Sequence, residues 1–127
     1  MRLLLDTHIL IWLAADIGLI PAHLRSLIED AGNELLFSPA SIWETAIKQG
    51  KGRPDFQADP YLLRTLLLEN GYIELPINGE HAIAIAGLPP LHKDPFDRIL
   101  VAQAITEGVP LLTVDKMVLQ YPGLISL

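Results

Sequence analysis

The chain has 127 residues, no cysteine and a formal net charge of −6; half of its residues are apolar and its mean hydropathy is +0.35. This length suits one compact domain over residues 1–127, and the apolar content is enough for a buried core, which excludes an intrinsically disordered segment. The absent cysteines exclude disulfides, zinc–thiolate centres and thiol nucleophiles, and the acidic balance argues against a nucleic-acid binder that works through a broad basic face.

The first fifteen residues are apolar but interrupted by Asp6 and His8, with Arg2 as their one basic residue, so a secretory signal is not expected. No apolar run approaches the roughly 18 residues that a bilayer span requires. The expectation is a soluble, cytoplasmic protein with no membrane partner. Arg2–Leu5 reads as a short strand and Thr7–Ala15 as a helix with Ile9, Leu10, Trp12 and Leu13 inward. Pro21–Ala31 is an amphipathic helix, with Pro21 in its first turn and Gly32 past its end. Glu34–Phe37 is the second strand. Ser38 caps and Pro39 opens the next helix, which carries Ile42, Trp43, Ala46 and Ile47 and stops at Gly50. Lys51–Asp55 is the longest polar break and reads as a surface loop.

Asp59-Pro60 opens a further helix that ends at Asn70-Gly71, and Tyr72–Leu75 is the third strand. Asn78 caps a short helix ending near Gly87, and Pro89-Pro90 enforces a loop. Asp94-Pro95 starts a long helix that runs through Glu107 and is closed by Gly108. Pro110–Val114 is the fourth strand, and Leu124–Ser126 reads as a fifth at an edge. Strands that alternate with helices predict an α/β fold with a mostly parallel sheet.

Four acids take special places in this pattern. Asp6 and Asp115 directly follow strands, whereas Glu44 and Asp97 lie near the starts of helices. In an open parallel sheet, sites form at the carboxyl ends of strands and the adjoining helix starts, so these four can converge on one edge. Gathered carboxylates repel unless a cation joins them or they take up protons. Oxygen ligands without cysteine favour Mg²⁺ or Mn²⁺. Such a pocket suits phosphodiester hydrolysis, in which a cation polarises the phosphoryl group and helps form hydroxide near neutral pH.

The segments LLLDTHILIW, SPASIWETAIK, HKDPFDRILVAQA and LLTVD, in this order and spacing, resemble the PIN-domain family, specifically its VapC-type toxins, over nearly the whole chain. HKDPFDRILVAQA is the most specific of them. The resemblance implies a three-layer α/β/α sandwich around a mostly parallel sheet of four to five strands. It implies a Mg²⁺- or Mn²⁺-dependent endoribonuclease, usually dimeric and held in check by a cognate antitoxin. It places the family's acidic quartet on Asp6, Glu44, Asp97 and Asp115. The chain departs from many relatives at Lys116 and Met117, where those carry a further acid.

Other polar residues have plainer readings. Asp94, just before Pro95, is placed to cap its helix; Thr7 and Thr113 are candidates for orienting the acids, and Ser38 and Ser41 for helix caps. Arg98 either neutralises the acid pocket or contacts RNA phosphate, the first being favoured. Lys48, Lys51 and Arg53 form a basic run that either steers an RNA backbone or decorates a solvated helix end. His8 and His92 read as packed or exposed rather than as general bases, and Trp12, Trp43 and Phe96 as core or dimer-interface residues. Apolar residues of the second and third helices are candidates for dimer and antitoxin surfaces. Two other function classes remain open: a PIN-like RNA- or protein-binding module without catalysis, and a receiver-like phosphoacceptor domain. No Gly-rich phosphate loop supports an NTPase.

Overall fold

Leu3, Leu4 and Leu5 are all fully buried, which successive strand residues achieve only where both faces of a sheet are covered. The computed structural model describes residues 1–50, 58–125 and 127. Its elements run β1 (Arg2–Leu5), α1 (Thr7–Ala15), α2 (Ala22–Glu29), β2 (Glu34–Phe37), α3 (Pro39–Gly50), α4 (Pro60–Glu69), β3 (Ile73–Glu74), α5 (Gly79–Ala84), α6 (Pro95–Glu107) and β4 (Leu111–Leu112), with 3₁₀ turns at Ile17–Leu19, Ile85–Gly87 and Val118–Gln120. Leu3 and Leu5 pack into a cluster with Ile9, Leu24, Leu63 and Leu67, from α1, α2 and α4. Leu4 faces the opposite way, among Leu36, Leu100, Val101 and Ala104. The alternation of side chains along β1 thus divides the core into two layers, one on each side of the sheet. No helix among the described residues is long and apolar enough to cross a membrane.

The four strands are parallel and lie in the order β3-β2-β1-β4. From β1 the chain steps outward to β2 and β3, then returns to place β4 on the other flank. The strand order therefore reverses at β1, which opens a crevice beyond the carboxyl ends of β1 and β4. The β1–β4 ladder pairs Leu5 with Leu112 and continues one bond further, from the Asp6 N–H to the Leu112 carbonyl at 3.0 Å.

The long helix is closed as its sequence implies: Gly108 sits in the left-handed region at φ 67 and its N–H reaches the carbonyls of Ala104 and Ile105, a conformation that a Cβ would disfavour. Elsewhere the elements are shorter than the sequence suggests. The Asp30 carboxylate accepts the Gly32 N–H at 2.9 Å, a turn that competes with the helix and ends α2 at Glu29. The third strand keeps two residues, although the Leu75 N–H still donates to the Phe37 carbonyl at 2.8 Å. The edge strand expected at Leu124–Ser126 is not seen at Leu124 and Ile125, where the Leu124 N–H turns back to the Tyr121 carbonyl; Ser126 lies outside the described residues.

Candidate metal centre

The crevice is floored by Asp6 and Glu44. Asp6 ends the β1 ladder and also caps α1, its carboxylate accepting the Ile9 N–H at 3.0 Å; capping and a place in the site coexist. Burial is the main reason its carboxyl group is pushed above the usual 3.8, and Glu44 adds to this, against hydrogen bonds from Thr113 and Ile9 and the nearby His8. The Thr113 hydroxyl accepts the Asp115 N–H at 3.0 Å. Its own hydrogen goes to Asp6, so one threonine ties the end of β1 to the segment after β4.

Glu44 is only 2% exposed. Its Oε2 takes a short hydrogen bond from Lys48, one turn along α3, while its buried Oε1 has no partner. The start of α3 is fixed from below. The Ser38 hydroxyl accepts the Ala40 N–H at 3.0 Å, and the Thr7 hydroxyl donates to Ser41 at 2.9 Å. Thr7 therefore joins α1 to α3 beneath the acids. Lys48 is half-buried against Glu44; the other two members of the basic run, Lys51 and Arg53, lie outside the described residues.

Asp97 and Asp115 form the rim. Asp94 caps α6, accepting the Phe96 N–H at 2.8 Å. Asp97 follows in the first turn, and its carboxyl group is pushed up to about 7, first by burial and then by the charges of Asp94 and Glu44; His92 opposes the shift and Asp6 adds to it. Asp115 spends Oδ1 on the Met117 and Val118 N–H groups, at 2.9 and 3.4 Å.

His92 joins the two rim acids. Its Nδ1 accepts the Asp94 N–H at 3.1 Å, so the ring hydrogen belongs on Nε2. Nε2 lies 3.1 Å from Asp97 Oδ2 and 3.2 Å from Asp115 Oδ2. The sequence suggests a packed or exposed His92 rather than one that bridges acids. The signal for its place is the HKD spacing, which sets the ring two residues before a capping aspartate whose N–H it can accept. Arg98 turns from the acids to the loop that carries His92. Its guanidinium donates to the carbonyls of Pro89, Ile85 and Leu88 and to the Tyr121 hydroxyl, and that hydroxyl also accepts the His92 N–H at 2.9 Å.

Of the aromatic residues expected in the core or at a dimer interface, Trp12 is partly buried against the core beside an exposed His8. Trp43 is 61% exposed and so is not a core residue. The buried face of α3 carries Ala40, Ser41, Glu44 and Thr45, which at about 100° per residue leaves Trp43 outside it. Trp43 meets the half-buried Phe96 edge to face, with ring centres 4.9 Å apart and planes at 86°.

The donor set fits a hard divalent cation. It offers carboxylate oxygens, one of them buried without a partner on Glu44, and gathers acids, with Asp6 and Asp97 raised first by burial and second by neighbouring acids. Ligand atoms of His92, Asp97 and Asp115 lie within 4.8 Å of one another, and the charges of Glu44 and Asp6 bear on Asp97, so Asp6, Glu44, Asp97 and Asp115 could hold the ion between floor and rim.

Fold and site together define a parallel α/β domain with a carboxylate pocket at the switch point of its sheet. Residues 3–124 match the PIN domain family, and the chain belongs to that family. Its fold is similar to that of VapBC2 from Rickettsia felis, solved bound to a DNA fragment from its promoter, with a TM-score of 0.72 at 18% identity over 98% of this chain and 96% of that one. It is also similar to VapBC-1 from nontypeable Haemophilus influenzae, with a TM-score of 0.65 at 18% identity over 94% of this chain and 91% of that one. No curated protein matches the sequence.

Proposed function

We propose that the protein is a Mg²⁺- or Mn²⁺-dependent endoribonuclease and the toxin of a VapC-type toxin–antitoxin pair, acting in the cytoplasm. The observation that carries this reading is the buried, unpartnered Glu44 Oε1 in a pocket shared with Asp6 and Asp97. Membership of the PIN domain family and the likeness in fold to two VapBC structures support it. Asp6, Glu44, Asp97 and Asp115 would hold a divalent ion there, which would supply a polarised phosphoryl oxygen and a water of lowered pKa. The chain supplies the rest. Thr113 fixes Asp6, Asp94 fixes the start of α6, and the His92 Nε2–H holds Asp97 and Asp115 together. The floor acids are shielded, while the side chains of Asp97 and Asp115 stay 21% and 39% exposed, so RNA approaches over the rim.

A cognate antitoxin is the partner in this reading. Tyr61, Leu62 and Leu66 of α4 are exposed beside a groove against α1, apolar surface of the kind a partner segment covers. A homodimer is also part of the proposal. A binding module without catalysis gains nothing from converging acids, and a phosphoacceptor domain does not fit a member of this family.

The test is cleavage of a mixed RNA pool with Mg²⁺, Mn²⁺ or EDTA. Cutting is expected with either metal, none in EDTA, and none by Glu44→Gln; equal cutting in EDTA would overturn the metal-dependent reading. The bridge made by His92 has its own readout. In His92→Ala, Mn²⁺ affinity, followed by the electron spin resonance of free Mn²⁺, falls by about 10–100-fold, the usual cost of losing a group that orients ligands. Unchanged affinity would reduce His92 to a packing residue.

A further inference from the structure

We infer that Trp43 and Phe96 form a corner on which a base of single-stranded RNA stacks beside the acid pocket; this rests on the ribonuclease reading above and deepens it. Each ring is the immediate chain neighbour of a proposed metal-holding acid. Trp43 precedes Glu44 on α3, and Phe96 precedes Asp97 on α6. The acids turn into the pocket, and the rings meet outside it at 4.9 Å. Adjacency in the chain therefore sets the corner beside the acid pocket.

The edge-to-face contact suits a base. The two rings stand nearly perpendicular and do not cover each other face to face, and Trp43 is largely exposed, so a planar group can lie flat on the tryptophan with its edge towards Phe96. A contact serving only to join α3 to α6 would leave less tryptophan in water than the 61% seen here. Charge points the same way. The chain carries a net charge of −6, and Lys48, the lysine closest to the site on α3, is already hydrogen-bonded to Glu44. Phosphate contacts are a poor source of affinity beside such a pocket, whereas stacking is uncharged. It also selects unpaired strands, whose bases can be splayed onto an aromatic face.

The test measures binding of labelled single-stranded RNA 12-mers by fluorescence anisotropy with Mg²⁺, in a Glu44→Gln background that does not cut. Adding Trp43→Ala weakens binding by about 5–150-fold, the range for loss of one stacked base, whereas adding Trp43→Phe retains most of the affinity. Equal affinity for all three proteins overturns the corner and leaves the ribonuclease reading standing. Unchanged affinity per protomer, with a dimer turned to monomer in sedimentation by Trp43→Ala, overturns it in favour of a protein interface. No RNA binding by the Glu44→Gln parent, at any concentration reached, removes both readings together.

Discussion

On the ribonuclease reading, replacing Asp97 by Asn is expected to abolish RNA cleavage and at the same time to raise the thermal midpoint of the metal-free protein. The first effect follows from removing a carboxylate that would hold the cation; losing one preorganised group that stabilises charge in the transition state costs about 10²–10³ in rate, and losing the ion as well costs more. The second follows from the metal-free state, where burial and the charges of Asp94 and Glu44 push the Asp97 carboxyl group up to about 7. The unfolded chain releases that proton near 3.8, the folded protein only near 7. Between these values the folded state holds more protons, so stability falls as pH rises. The cost begins at about pH 4 and is complete above about pH 7. Allowing for the partial exposure of the carboxylate, its neutral replacement is worth about 1–2 kcal/mol at pH 8, or roughly 5 °C. Melting curves of both proteins at pH 4 and pH 8 check this. The two midpoints should converge at the lower pH, and a variant that melts lower at pH 8 would contradict the crowding of these acids.

Divalent metal should stabilise the protein strongly, and more so at alkaline pH. An ion that binds only the folded state adds about 2.7 kcal/mol at a hundred times its dissociation constant, on the order of 10 °C for a chain of this size. At pH 5 most Asp97 is protonated in the metal-free protein, so binding must first expel a proton and the gain shrinks. A Mg²⁺ or Mn²⁺ titration followed by melting at pH 5 and pH 8, reversed with EDTA, reads this out. No metal-induced rise at pH 8 would show that the acids do not form a cation site in solution.

The sequence made the scaffold legible because its strands are bounded by strong local signals. Proline and capping residues mark the start of α3, α4 and α6, and β1 is a run of leucines before an aspartate. Asp6, Glu44 and Asp97 could be placed in one crevice from their positions at strand and helix ends alone. What escaped were features set by side-chain direction and by contacts between distant segments. His92 gains its role from a backbone N–H two residues on and from Asp115, 23 residues away. Trp43 carries the composition of a core residue, yet its neighbour Glu44 claims the inward direction. The sequence points Arg98 to the acids or to RNA, whereas its donors go to loop carbonyls that no periodicity would reveal. The fifth strand failed because Leu124 follows a turn held by the Tyr121 carbonyl, where no ladder partner is offered.

The position of β4 beside β1 has a consequence for the newborn protein. β1 comes early in the chain and β4 late, yet Leu4 and Leu5 pair with Leu111 and Leu112, and the hydroxyl that steadies Asp6 belongs to Thr113. During synthesis, β1 waits for its partner until residues 111–112 have left the ribosome, and pairings so distant in sequence are slow to form. The acid pocket is therefore completed only after β4 and Thr113 have been made.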